Sequence, residues 1–159
     1  MAWKREWLGK GTQNILRKID DVGAVLVARD PTYGPKTVRE IIEHYHKRGQ
    51  LRSALFRGLV LLRPLLAQPS TEAEKERIAE ASRVKERLVE IARKHLEKCL
   101  EAKGENKRYS ACSNAFIVLK EHGDENHLDV LQKAKRLDLS EFIEQLRINA
   151  IKEIEKRRG

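Results

Sequence analysis

Residues 51–66 read LRSALFRGLVLLRPLL, the most apolar stretch of the chain. Leu51, Ala54, Leu55, Phe56, Leu59, Val60, Leu61, Leu62, Leu65 and Leu66 go most of the way round a helix of 3.6 residues per turn. A helix that is apolar on nearly every face must be covered on several sides, so this segment is expected to be a central, buried helix. Pro64 is expected to bend or break its last turn.

The flanking sequence supplies helices to cover it. Upstream, Thr37 and Glu40 have capping-box spacing, Val38, Ile41, Ile42 and Tyr45 follow at helical intervals, and Gly49 can end that helix in the left-handed conformation. Residues 30–35 hold two prolines and a glycine and read as a loop. Before it, Thr12 opens a helix over 13–29. Its segment 23–28 also reads as a buried strand, but no second strand candidate exists to pair with it. Trp3, Trp7 and Leu8 fit one face of a short N-terminal helix that packs on the core or on a partner.

Downstream, Thr71 and Glu74 form a second capping box. The pattern that follows, to Lys103, is either one long helix or two with a break near 80–82. Its apolar residues are Val84, Leu88, Ile91, Ala92, Leu96, Cys99 and Leu100. Ala111, Cys112, Ala115, Phe116 and Leu119 make the next helix, which Gly123 ends. Asp124 caps another with Leu128, Leu131 and Ala134. Asp138 and Glu141 then start a last one with Phe142, Ile143, Leu146, Ala150 and Ile154. The fold class is therefore all-α, with six to eight helices in antiparallel hairpins, either a compact bundle or an α-α superhelix.

The spacing of Ala111, Ala115, Leu119, the pair Gly123 and Asp124, Leu128 and Leu131, followed by Arg147, Ala150, Ile151 and Ile154, resembles a HEAT-type repeat of the short kind found in phycobilin-lyase-like proteins. The resemblance covers about residues 108–157, and no second copy is visible in 1–107. It implies a binding module in which alanines let two helices approach and the Gly-Asp pair makes the turn.

Composition bounds the rest. The chain has 159 residues, enough for a single helical domain over 1–159; 40% of its residues are apolar and 36% charged, and its net charge is +9. The excess is in the first part. Residues 1–69 carry 13 Lys and Arg against 6 acids, whereas 70–159 are nearly balanced at 20 against 18. No apolar run reaches membrane-spanning length and no secretory leader is visible, so a cytoplasmic protein without a membrane span is expected.

Lys36, Arg39, Lys47, Arg48, Arg52 and Arg57 are the candidate polyanion-binding residues, with Arg63 beside them. A cluster of this kind attracts phosphate backbones. Only Tyr33 and Tyr45 are at hand to stack on bases, and the 51–66 helix is too apolar to read base edges. Gly34, Pro35, Lys36 and Thr37 fail as a phosphate loop, because proline stands where glycine is needed.

Catalytic, cofactor and metal sites are not expected. Cys99 and Cys112 lack a CxxC pairing and read as reduced core thiols, and His95 as a packed or boundary histidine. His122 and His127, with Glu121, have only weak metal-ligand spacing. The function expected is a non-catalytic scaffold or adaptor binding a partner macromolecule, first a protein. The alternative is RNA or DNA held by its phosphates without base readout. The wide apolar stripes of 51–66 and 84–100 are covered within one chain or between two, which leaves a homo-oligomer open.

Overall fold

A computed structural model describes residues 34–66, 72–102 and 111–158. Among them the chain is all-α, with six α-helices, two short 3-10 segments and no strand. The helices are α1 (Gly34–Lys47), α2 (Leu51–Leu65), α3 (Glu72–Glu101), α4 (Cys112–His122), α5 (Leu128–Lys133) and α6 (Glu141–Arg158), with 3-10 turns at Glu125–His127 and Ala134–Leu137. They group into two compact units that divide between Glu86 and Arg87, within α3. The helix expected around Trp3 and Trp7, that over 13–29 with its strand alternative, and the capping box opened by Thr71 lie outside the described residues.

In the first unit α1 and α2 pack on each other. The sequence places the start of α1 at Thr37, but the helix begins at Gly34. The reason is the first turn, whose N–H groups have no helical partner, so Pro35 sacrifices nothing there. Gly34, Pro35 and Thr37 are buried in that turn. Thr37 is therefore a buried residue of the first turn and not the cap.

The other end of α1 forms as expected. Gly49 has φ +72°. Its N–H donates to the His46 carbonyl at 3.0 Å, and the Gln50 N–H reaches back to the Tyr45 carbonyl at 2.9 Å. These two bonds are the Schellman closure, which needs a residue in the left-handed region.

Ala54, Leu55, Leu59, Leu61, Leu62 and Leu65 of α2 are buried with Val38, Ile41 and Ile42. The helix is not covered all round, however. Phe56 is 51% exposed, and Arg52 and Arg63 are exposed on the same stripe at i−4 and i+7. Pro64 does not break the helix, which continues to Leu65, and the Leu66 N–H still bonds to the Leu62 carbonyl at 2.9 Å.

Helix α3 is one helix of 30 residues. Where a break was conceivable, the Ser82 hydroxyl donates to the Ile78 carbonyl at 3.0 Å, so its competing hydrogen bond is absorbed by the preceding turn.

In the second unit α4 and α5 both pack on α6. Leu88, Ile91, Ala92, Leu96, Ala115, Phe116, Leu119, Leu131 and Ile154 are fully or almost fully buried there. The Asp124 side chain accepts the Asn126 N–H at 2.9 Å while the His127 ring accepts the Asp124 N–H at 3.0 Å. That is a capping box with histidine in the place of the usual Glu or Gln.

The start of α6 differs from the sequence reading. Asp138 has φ +52°, a left-handed conformation that an N-cap does not use. Ser140 takes the role instead, its hydroxyl accepting the Ile143 N–H at 3.5 Å. Phe142 also leaves the expected stripe and is 73% exposed. The buried face of α6 is Arg147, Ala150 and Ile154, because Arg147 is turned inward to reach the Leu131 carbonyl at 3.0 Å.

Two glycines give opposite tests of backbone against space. Added at Gly49, a Cβ meets nothing within 4 Å. Gly49→Ala is thus expected to lose only the left-handed penalty, about 1 kcal/mol. Gly123 has an ordinary φ of −73°, but its Cβ would lie 2.5 Å from the Leu119 carbonyl oxygen. Backbone cannot swing aside, so Gly123→Ala is expected to cost about 2 kcal/mol. Urea titration of both variants checks the order.

Candidate functional site

The structure exposes Lys36, Arg39, Lys47, Arg48 and Arg52. Lys36, Arg39 and Lys47 lie on the face of α1 opposite its buried residues. Lys36 and Lys47 are eleven residues apart, about 16 Å along the axis. Glu40 and Glu43 lie on the same face, so the stripe alternates in sign. Burial pushes the Glu40 carboxyl above its usual range, with Lys36 opposing.

Arg48 donates to the His44 ring at 2.7 Å. Arg57 is half-buried. Its guanidinium lies over the Tyr45 ring, 5.4 Å from the centroid, and His44 meets the same ring edge-on. One face of Tyr45 is thus already covered by Arg57, and Tyr33 lies outside the described residues.

In the second unit three arginines act as clamps. Arg93 forks onto both carboxylate oxygens of Asp129, at 3.1 and 3.0 Å, and also bonds to Glu97 and the Asn126 carbonyl. Arg157 donates to the carbonyls of Leu119 and Gly123 at the end of α4, where the helix dipole favours a cation. Arg147, 6% exposed, pairs with Glu144 and the Leu131 carbonyl. A groove of about 270 Å³ runs past Arg93, Leu100, Glu101, Asp129 and Lys133. The arginine in it is committed to its carboxylates.

Hydrogen bonding to Arg147 holds the Glu144 carboxyl below its ordinary value of 4.5, and Arg93 does the same for Asp129 below 3.8. Both carboxyls are depressed in the folded state. The stability they add is complete above those ordinary values and is lost as pH falls through the lower folded ones. The urea midpoint of the wild type is expected to fall below about pH 4, and Glu144→Gln to flatten that fall.

The group the sequence reading missed is His95, Cys99 and Cys112. His95 and Cys99 are one turn apart on α3, and Cys112 is the first residue of α4. The His95 Nε2 is 3.6 Å from the Cys99 sulfur and 3.9 Å from that of Cys112. All three ligand atoms lie within 4.8 Å of one another. The residues are 8%, 6% and 0% exposed, and both cysteines are free thiols.

The Cys112 thiol, hydrogen-bonding to Cys99 and aided by His95 against burial, draws the Cys99 thiol down to about 5. The same contact and burial push Cys112 up. The pair gives up a first proton readily and a second reluctantly, as two like charges at this distance must. Such a trio can ligate a soft metal, close a disulfide, or present a thiolate to an electrophile. The last needs access that a residue only 6% exposed does not give. Only the His95 and Cys99 half, at i, i+4, carries a sequence signal.

His122 and His127 do not join Glu121 in such a group among the described residues. His127 is occupied by the Asp124 cap. No helix of the described residues is long and apolar enough to cross a membrane. No family model matches the chain, and neither a curated protein nor a solved structure matches it.

Proposed function

We propose that the chain is a non-catalytic α-helical binding module that engages a protein partner through the outward stripe of α2. The carrying observation is Phe56, half exposed between Arg52 and Arg63 on a helix whose other face is core. An exposed aromatic flanked by two guanidinium groups suits an acidic partner segment that carries an apolar anchor. The HEAT-like reading of 108–157 fits a module of this kind, supported by the buried Ala111 and Ala115 and by the turn at Gly123. A cytoplasmic setting is part of the reading.

The second reading, nucleic acid held by its phosphates, is favoured by the exposure of Lys36, Arg39, Lys47, Arg48 and Arg52. Glu40 and Glu43 along α1 weaken it. Fluorescence anisotropy separates the two. Labelled acidic peptides with a Leu or Trp anchor are titrated beside labelled RNA and DNA, across about 50–500 mM salt.

The protein reading predicts peptide binding that Phe56→Ala weakens about tenfold, which is about 1.4 kcal/mol. Nucleic-acid binding that falls linearly in log salt and disappears on changing Lys36, Arg39, Lys47 and Arg48 to Glu, with no peptide binding, overturns it in favour of the second.

A further inference from the structure

We propose that His95, Cys99 and Cys112 form a zinc-binding site that pins the start of α4 to the C-terminal half of α3. Zinc bonds of about 2.3 Å to sulfur and 2.0–2.1 Å to nitrogen, spread over a tetrahedral angle, put N and S about 3.6 Å apart. The two distances found are 3.6 and 3.9 Å. The two nitrogen-to-sulfur edges need to close by only a few tenths of an ångström, and the sulfur-to-sulfur edge, which zinc sets at about 3.8 Å, lies within 4.8 Å. His95 and Cys99 share one face of a single helix through their i, i+4 spacing, and the third ligand comes from a second helix, so a bound ion cross-links the two.

The donor set selects the ion. Two thiolates and an imidazole are soft to borderline ligands, which disfavours magnesium and calcium. A divalent ion with two thiolates and a neutral imidazole is a neutral assembly. That is the charge state a site of 0–8% exposure tolerates, whereas a monovalent ion would leave a buried negative charge. As the two Zn–S bonds and the Zn–N bond form, whatever protons the two sulfurs still hold pass to solvent, and no oxidant or reductant is needed. Packing alone explains two buried cysteines. The imidazole nitrogen, within hydrogen-bonding reach of both sulfurs, completes a three-donor set.

The test titrates the reduced full-length protein, kept in a phosphine reductant, with Co²⁺ and then with Zn²⁺. A thiolate-to-cobalt charge-transfer band in the near ultraviolet that saturates at one equivalent, with visible bands of tetrahedral intensity, is expected. Zinc should bleach it. Cys99→Ser, Cys112→Ser and His95→Gln should each weaken binding roughly 100-fold or more, since loss of a ligand exceeds the 10–100-fold of an outer-shell change. Should those variants misfold by circular dichroism, the wild type decides alone, through the charge-transfer band, its end point at one equivalent and its bleaching by zinc. A folded, reduced protein that shows no charge-transfer band overturns the proposal. So does a band that survives loss of both cysteines, or one that does not saturate at one equivalent.

Discussion

Phe116→Ala is expected to be the most damaging of the substitutions considered, at about 3–5 kcal/mol. The chain has three phenylalanines, and their surroundings differ completely. Phe116 is 0% exposed, in the core where α4 meets α6, so removing its ring leaves a cavity lined by side chains that cannot all collapse into it. Phe56→Ala and Phe142→Ala remove rings that are 51% and 73% exposed. Both are expected to stay within about 0.5 kcal/mol of wild type. Urea unfolding of the three variants checks the ranking. A Phe142→Ala loss as large as that of Phe116→Ala would contradict the burial described for α6.

Arg147→Met ranks second, at about 2–3 kcal/mol. Its guanidinium is the one charged group among the described residues that lies almost wholly inside the core face of a helix. It holds Glu144 by two oxygens and the Leu131 carbonyl by a third bond. Removing it strands that buried carbonyl and leaves the Glu144 carboxylate without its cation. The loss is less than that of a fully buried pair, because Glu144 is 28% exposed and water can rescue it. Arg147→Lys keeps the charge but loses the planar fork, and is expected to recover only part of the loss. Unfolding at pH 7 and at pH 3 separates the contributions. Arg147→Met should lose much of its deficit at the lower pH, where the carboxylate is neutralised in both proteins.

These outcomes show what the sequence makes legible. Apolar residues at i, i+3 and i+4 identify α1 to α4, and Gly49 reads as a helix end because only the left-handed region closes that turn. Asp124 reads as a cap for the same local reason. Features that depend on a second element do not read. Gly34 and Pro35 look like loop until the first turn of α1 is buried. The stripe Phe142, Ile143 and Leu146 looks like core until Arg147 turns α6 by reaching for a carbonyl on α5.

The candidate sites follow the same rule. Lys36, Arg39 and Lys47 of α1 are exposed because their helical phase puts them opposite the apolar stripe, which sequence shows. That Arg57 is spent on Tyr45 is a contact between two helices, which sequence does not show. Cys112 meets His95 across 17 residues and from another helix. The facing of α4 on α3 decides that meeting, and no spacing in the chain encodes it.

The central claim is that the outward stripe of α2 is a binding surface for an acidic, apolar-anchored protein segment. Amide NMR of the labelled protein, titrated with such a peptide at about physiological salt, tests it most directly. The account predicts shifts that saturate and concentrate at Arg52, Phe56, Val60 and Arg63, and that vanish in Phe56→Ala. Shifts confined to Lys36 and Arg39, or a peptide that moves no resonance while RNA does, would contradict it.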